Sequence, residues 1–253
     1  MKKSIYTRII AATLLFASFT FAQLDQTGNE TKSTVDKTDY YYHAHDGIYF
    51  ATVFTFAYES LSKHYERENW GDEGTDDISF KGWIPPLIEA RLGAYYLNVA
   101  GIYGTFAFGL GTGDIEDTYR NKEDDYERTE EASATTMRML LGLGADFYPL
   151  QDKESLLYGL FFGLCGGFAF EAAEITSEYH FQNSDETFHN FFGRVEAGYD
   201  WWFCTRWRVG ASFNYTFGGF MHTESPNNDY SGSRKEEQTT TSHTFGLAIR
   251  IAH

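Results

Sequence analysis

The sequence predicts an all-β fold: an eight-stranded antiparallel up-and-down transmembrane β-barrel with four long external loops and short periplasmic turns. Three observations predict it. Apolar and polar residues alternate with a period of two through eight segments. The connections between those segments are short and long in turn. Every charge within the strand cores falls on the face opposite the apolar one. The stretch FFGRVEAGYDWWFCTRWRVGASFNYTF (191–217) shows the pattern at its plainest. Arg194, Glu196, Asp200, Arg206 and Arg208 take even positions. Phe191, Val195, Tyr199, Trp201, Val209, Phe213 and Tyr215 take odd ones.

The elements follow in order. Residues 1–22, MKKSIYTRIIAATLLFASFTFA, read as a signal peptide. Lys2, Lys3 and Arg8 precede an apolar run from Ile9 to Phe21, and the small residues Thr20 and Ala22 precede a cut at Gln23. That run is short for a membrane span. Residues 23–46 form a polar periplasmic N-terminal tail, and residues 47–253 the barrel.

The eight strands are expected at about 47–59, 86–97, 100–111, 136–148, 156–172, 191–201, 206–218 and 241–252. Most exceed the roughly nine to eleven residues that cross a bilayer as a tilted strand. Asn98 and Val99, then 149–155, then 202–205 make the short turns; 60–85, 112–135, 173–190 and 219–240 make the long loops. In a closed meander alternate connections emerge at one end, so the long loops share a side.

Two of these loops are strongly acidic. GDIEDTYRNKEDDYERTEE (113–131) holds nine acidic residues, and HYERENWGDEGTDD (64–77) is similar. Neither has hydrophobic periodicity, so both are expected to be solvated. Carboxylates suit hard cations, which makes divalent cations a candidate partner there, although no DxDxDG spacing occurs. The formal net charge of −16 argues against nucleic acid as a partner. Cys165, mid-strand, and Cys204, in a turn, are expected as free thiols.

The inner face collects Arg91, Arg138, Arg194, Arg206, Arg208 and Arg250 with Glu59, Glu89, Asp146, Glu171, Glu196 and Asp200. A lipid-facing Arg costs about 2–4 kcal/mol near the midplane. Inside, each charge needs a partner, and equal numbers of the two signs allow pairing. Eight strands leave an interior just wide enough for side chains, so glycines on that face make room for long stems. A soluble barrel would invert the arrangement; here it would expose eight aromatic-rich stripes to water. Tyr95, Tyr96, Tyr148, Tyr158, Tyr199, Trp201, Trp202, Phe203 and Trp207 gather near the short turns and are expected as an interfacial girdle.

With its last strand, TFGLAIRIAH, the chain resembles the small eight-stranded outer-membrane β-barrel proteins, the group of OmpA-like and OmpX-like barrels, over about residues 47–253. The resemblance implies the outer membrane of a Gram-negative envelope, lipid as surroundings and a monomer. It also implies a C-terminal signal for the barrel-assembly machinery. Thr244 is its polar position, Gly246 its glycine, and Ile249 and Ile251 its paired apolar positions. The chain ends on Ala252 and His253 where the family usually ends on an aromatic residue.

Members of that group have varied roles, so the fold does not fix the function. The leading expectation is a non-enzymatic barrel presenting acidic surface loops for envelope integrity or surface interaction. The alternatives are a narrow or gated pore, and a lipid- or peptide-modifying enzyme. An enzyme would draw on His180, His189, His222 or His243 near the outer rim, with Ser177, Asp185 or Glu186 nearby. No nucleophile elbow, HExxH or phosphate loop is present, and no cofactor is expected.

Overall fold

The computed structural model describes residues 47–69, 72–97, 99–121, 126–150, 152, 155–176, 185–204, 207–219, 222–227 and 234–253. The expected signal peptide (1–22) and tail (23–46) lie outside them, as does Arg206. The strands are β1 (Ile48–Asn69), β2 (Asp72–Tyr96), β3 (Ala100–Asn121), β4 (Tyr126–Phe147), β5 (Leu160–Thr176), β6 (Asp185–Trp202), β7 (Arg208–Gly218), β8 (His222–Asn227) and β9 (Arg234–Ala252). Neighbours pair antiparallel from β1 to β7, then β7 with β9, and β9 with β1 closes the ring.

The ninth strand does not enlarge the barrel. β7 meets β9 from Ala252 to Ser242, and β8 meets it from Thr239 to Arg234. The two are halves of one stave, interrupted where Gly219 takes a φ of +123°, a conformation that glycine adopts without a Cβ penalty. The ring therefore has eight staves.

The alternation read from the sequence becomes the two faces of the wall. Leu92, Leu143 and Leu247 point outward, 63%, 75% and 66% exposed, while Arg91, Arg208 and Arg250 are 0% exposed. Phe54, Phe106, Phe168, Phe213 and Ile249 continue the greasy belt around the ring. No water-soluble chain sustains such a surface; hydrocarbon surrounds it, as in transmembrane barrels. The amide of His253 donates to the Phe50 carbonyl at 2.8 Å, so the chain end lies beside the start of β1, at the end of the short connections.

The course of the strands differs from the sequence reading in three places. First, β1 to β4 and β9 run well beyond the belt. The stretches 60–85 and 112–135, expected as solvated loops, are almost wholly paired strand; β1 and β2 stay in register out to Asn69 opposite Asp72, β3 and β4 out to Asn121 opposite Tyr126. Hydrophobic periodicity could not reveal the outer part of these ladders, from about Ser62 on β1 and Glu116 on β3 outward, because there the paired backbone carries no continuous apolar face.

Second, β2 carries one extra residue. Thr55 and Ala57 on β1 face Leu87 and Ile84, so two residues of β2, Pro85 and Pro86, oppose one of β1. Both prolines face outward, and neither has an N–H to offer the ladder. Inward residues are even-numbered before this bulge (Phe80, Gly82, Ile84) and odd-numbered after it (Leu87, Glu89, Arg91).

Third, β5 starts at Leu160 rather than 156. Residues 155–159 make a turn in which the Tyr158 amide donates to the Ser155 carbonyl at 3.1 Å and the Leu160 amide to that of Leu157 at 3.0 Å.

Candidate functional site

Two regions carry the chemistry of this chain: the lumen, and the sheet that stands above the belt. The lumen is layered from the floor upward. On the floor the Arg208 guanidinium carbon sits 5.9, 5.2, 5.5 and 5.3 Å from the ring centres of Tyr49, Tyr95, Tyr148 and Trp202. A cation among aromatic faces is held by their negative quadrupoles. Its Nε also lies 2.9 Å from Asp200 Oδ2, an ion pair without the alignment of a hydrogen bond.

Tyr95, Tyr148 and Trp202, expected in the outer girdle, therefore line the inside, and Tyr158 is buried beside Trp202 at 6.5 Å between ring centres. The reason is parity. Tyr95 shares its face with Glu89 and Arg91, Tyr148 with Asp146, and Trp202 with Asp200. Tyr96, Trp201 and Phe203 face outward, as does Tyr199, whose ring centre lies 5.0 Å from that of Trp201.

Above the floor lies the ionic layer. Arg250 donates through Nε to Asp200 Oδ1 and through Nη1 to Asp146 Oδ2, both at 2.7 Å, and its guanidinium lies 3.5 Å from the centre of Phe161. Tyr49 donates to Asp146 at 2.7 Å and Tyr103 at 3.1 Å. Arg91 joins Glu89 through Nε and Glu196 through Nη2, each at 2.7 Å. Arg194 grips both oxygens of Glu89 at 2.7 Å, the bidentate geometry that makes Arg–carboxylate pairs strong. Thr105 donates to Glu89 and Ser212 to Glu196, both at 2.7 Å.

An apolar layer of Ala57, Ile84, Leu87, Leu140, Ala169 and Phe192 closes over this network. Above it Arg138 is hydrogen-bonded to Glu59 and, at 2.6 Å, to Thr244, and Glu171 stands opposite it in the backbone register of β4 and β5. A second apolar layer, Leu61, Phe80, Ile115, Ala134 and Ala173, lies above that group. The sequence reading named the charges of the lumen but passed over these two layers. Leu61, Leu140 and Ile115 had a legible signal, since they keep the inward parity of their strands. Phe80 and Ile84 did not, because the bulge shifts their parity.

The remaining sequence-named positions fall as follows. Thr244 and Gly246 face the lumen and Ile249 and Ile251 the exterior. Cys165 is buried, Cys204 exposed, and both are free thiols. His243 faces outward, its Nδ1 2.8 Å from the Tyr215 hydroxyl, and the exposed His189 meets the Phe170 ring edge-on at 5.3 Å. His180 and Ser177 lie outside the described residues, and of His222, Asp185 and Glu186 only the backbone is described. Among the described residues no three His, Cys, Asp or Glu side chains converge as a metal site requires.

The sheet above the belt joins β8, β9, β1, β2, β3 and β4. Carboxylates dominate it, and several stand directly opposite one another: Glu116 with Glu131, and Asp117 with Glu130. Arg120 faces Glu127 at 3.4 Å, and Arg128 is paired with Glu130. On β1, His64 Nδ1 lies 2.5 Å from Asp77 Oδ1 and its Nε2 3.7 Å from Glu66. The Asp77 carboxylate holds the His64 pKa above the usual imidazole value.

No protein-family model matches the sequence, and no curated protein matches it. Solved structures do. The outer membrane protein OprG of Pseudomonas aeruginosa is 11% identical, with a TM-score of 0.39 over 82% of this chain and 98% of OprG. Ail, the attachment invasion locus protein of Yersinia pestis, is 12% identical at 0.34, over 81% and 99%. The outer membrane protease OmpT of Escherichia coli is 7% identical at 0.37, over 81% and 97%. The likeness thus spreads over several distinct outer-membrane barrel families and does not single out the OmpA-like and OmpX-like group. It bears on no activity. The closed ring, the greasy belt and the charged lumen make this chain an outer-membrane, multi-pass β-barrel.

Proposed function

We propose that the protein is a non-enzymatic surface barrel whose working part is the acidic sheet above the membrane, offered to cationic partners outside the cell. The observation that supports this reading is the crowding of carboxylates on the outer hairpin of β3 and β4, where Glu116 stands opposite Glu131 and Asp117 opposite Glu130. Like charges held face to face destabilise a sheet, and a cationic partner relieves their repulsion. Glu127, Glu130 and Glu131 bias the hairpin toward positive charge. Export by the signal peptide, insertion by the assembly machinery through Thr244, Gly246, Ile249 and Ile251, and a monomeric state belong to the same reading.

The test replaces residues 62–79 and 114–131 with tight turns. The shortened barrel is expected to keep its heat-modifiable mobility on gels while intact cells lose salt-sensitive binding of a fluorescent peptide of alternating Lys and Thr. Equal binding by the shortened and full-length proteins would reject the reading.

A further inference from the structure

The ionisable groups of the lumen divide into two compartments with different balances. Below the apolar layer of Ile84, Leu87, Leu140 and Phe192, four carboxylates meet four guanidiniums: Glu89, Asp146, Glu196 and Asp200 with Arg91, Arg194, Arg208 and Arg250. That compartment is neutral with every group ionised. Above the layer, two carboxyls, Glu59 and Glu171, stand with the single guanidinium of Arg138.

Arg138 commits its Nη1 to Glu59, and Thr244 adds a hydrogen bond to the same Glu59 oxygen at 3.1 Å. Glu171 lies against the Glu59 carboxyl and forms no ion pair among the described residues. The group is sealed on both sides. Two positions below and two above, Glu59 is flanked by Ala57 and Leu61, and Glu171 by Ala169 and Ala173. All three charged side chains are buried. The other inward polar groups around them are neutral: Thr136 on β4, Asn190 on β6 and Ser242 on β9. The next cation, Lys63, sits one inward step beyond Leu61.

An unpaired carboxylate between two apolar layers is costly, and two adjacent carboxyls relieve that cost by sharing one proton. We propose that Glu59 and Glu171 hold a single proton between them in the folded barrel, which makes the upper compartment a proton-binding site. The proton is taken from water as the barrel closes. It leaves the compartment neutral, with one carboxylate balancing Arg138 and one neutral carboxyl donating to its neighbour.

Infrared spectroscopy of the folded protein in lipid vesicles at neutral pH reads this directly. Exposed carboxyls are ionised under those conditions, so a carboxylic-acid C=O band reports a buried neutral acid. The wild type is expected to show one such band. Glu171→Gln is expected to abolish it, because Glu59 then pairs one-to-one with Arg138. Glu59→Gln is expected to abolish it too, because Glu171 takes that place. Absence of the band from the wild type overturns the proposal without any variant. A band that survives Glu59→Gln and disappears only in Glu171→Gln also overturns it, since that identifies a lone neutral Glu171 rather than a shared proton. Heat-modifiable mobility verifies that each variant is folded.

Discussion

Arg91 and Glu196, 105 residues apart in the chain, meet at 2.7 Å across the lumen and tie β2 to β6 on the far side of the ring. Arg91→Met leaves Glu196 buried with Ser212 as its only donor among the described residues. Removing one partner of a buried pair costs about 3–5 kcal/mol, so the denaturant midpoint in lipid vesicles is expected to fall by that equivalent. The double variant Arg91→Met, Glu196→Met removes both charges and is expected to recover much of the loss. A double variant less stable than Arg91→Met would show that the pair holds the lumen in some way other than charge balance.

Glycines separate positions where the wall is closed from positions where it is open. A Cβ on Gly93 would stand 1.8 Å from the Ile102 carbonyl oxygen, and one on Gly167 2.1 Å from that of Leu141. Backbone cannot yield as a side chain can, so Gly93→Ala and Gly167→Ala are expected to block assembly. At Gly104 the nearest atom would be 3.9 Å away, and Gly104→Ala is expected to assemble at the wild-type yield. Heat-modifiable mobility after refolding distinguishes the two classes.

His64 makes the outer hairpin of β1 and β2 sensitive to pH. Its pKa is raised in the folded state by Asp77, with Glu66 adding to the effect. The protonated ring therefore stabilises the hairpin fully below the ordinary histidine value, and that stabilisation is lost as pH rises through the raised value. The pair is about half exposed, so the effect is about 0.2–1 kcal/mol. Amide protection in residues 62–79, taken relative to the intrinsic exchange rate at each pH, is expected to fall over that rise, and Asp77→Asn to weaken the dependence.

The facing carboxylates of β3 and β4 repel one another. Like charges directly opposite on a sheet are destabilising, by roughly 0.2–1 kcal/mol per pair, and salt screens exposed charges. Exchange of amides in 114–131 is expected to slow as ionic strength rises. Glu131→Lys, opposite Glu116, is expected to slow it at low salt and to flatten the salt response.

The two apolar layers bear on conduction. Planar-bilayer recording of the wild type is expected to show no steady current, because water-filled passage requires both layers to part. Phe192→Ala is expected to leave the lumen closed, since the lower ionic network still spans it. Steady channels in the wild type that vanish on changing Arg138 or Glu196 would establish the pore that was the alternative expectation.

Much of the wall was legible in the sequence because one face meets hydrocarbon and the other meets ions, so period-two alternation persists through every strand core. Legibility failed where that contrast disappears. Beyond the upper apolar layer neither face is continuously apolar, and Ser62, Thr118 and Thr129 give no hint that they sit in continuous ladders. At the floor of the lumen the aromatic residues Tyr95, Tyr148 and Trp202 have the composition of an interfacial girdle, and only their parity with Arg91, Asp146 and Asp200 shows that they turn inward. Phe80 and Ile84 were hidden by the extra residue of β2. Which carboxylate each arginine chooses depends on the stagger around the ring, which no single strand records.

That extra residue also sets how β2 tolerates a change in length. Pro85 and Pro86 are the two consecutive outward positions, so excising one of them straightens the stave and every other side chain keeps its direction. Excising both inverts the outer half: Lys81 and Trp83 swing into the cylinder, and Phe80 and Ile84 swing out of it. Tolerance at this dipeptide is odd–even rather than graded, and the smaller deletion is the harmless one because it corrects a miscount already built into the wall.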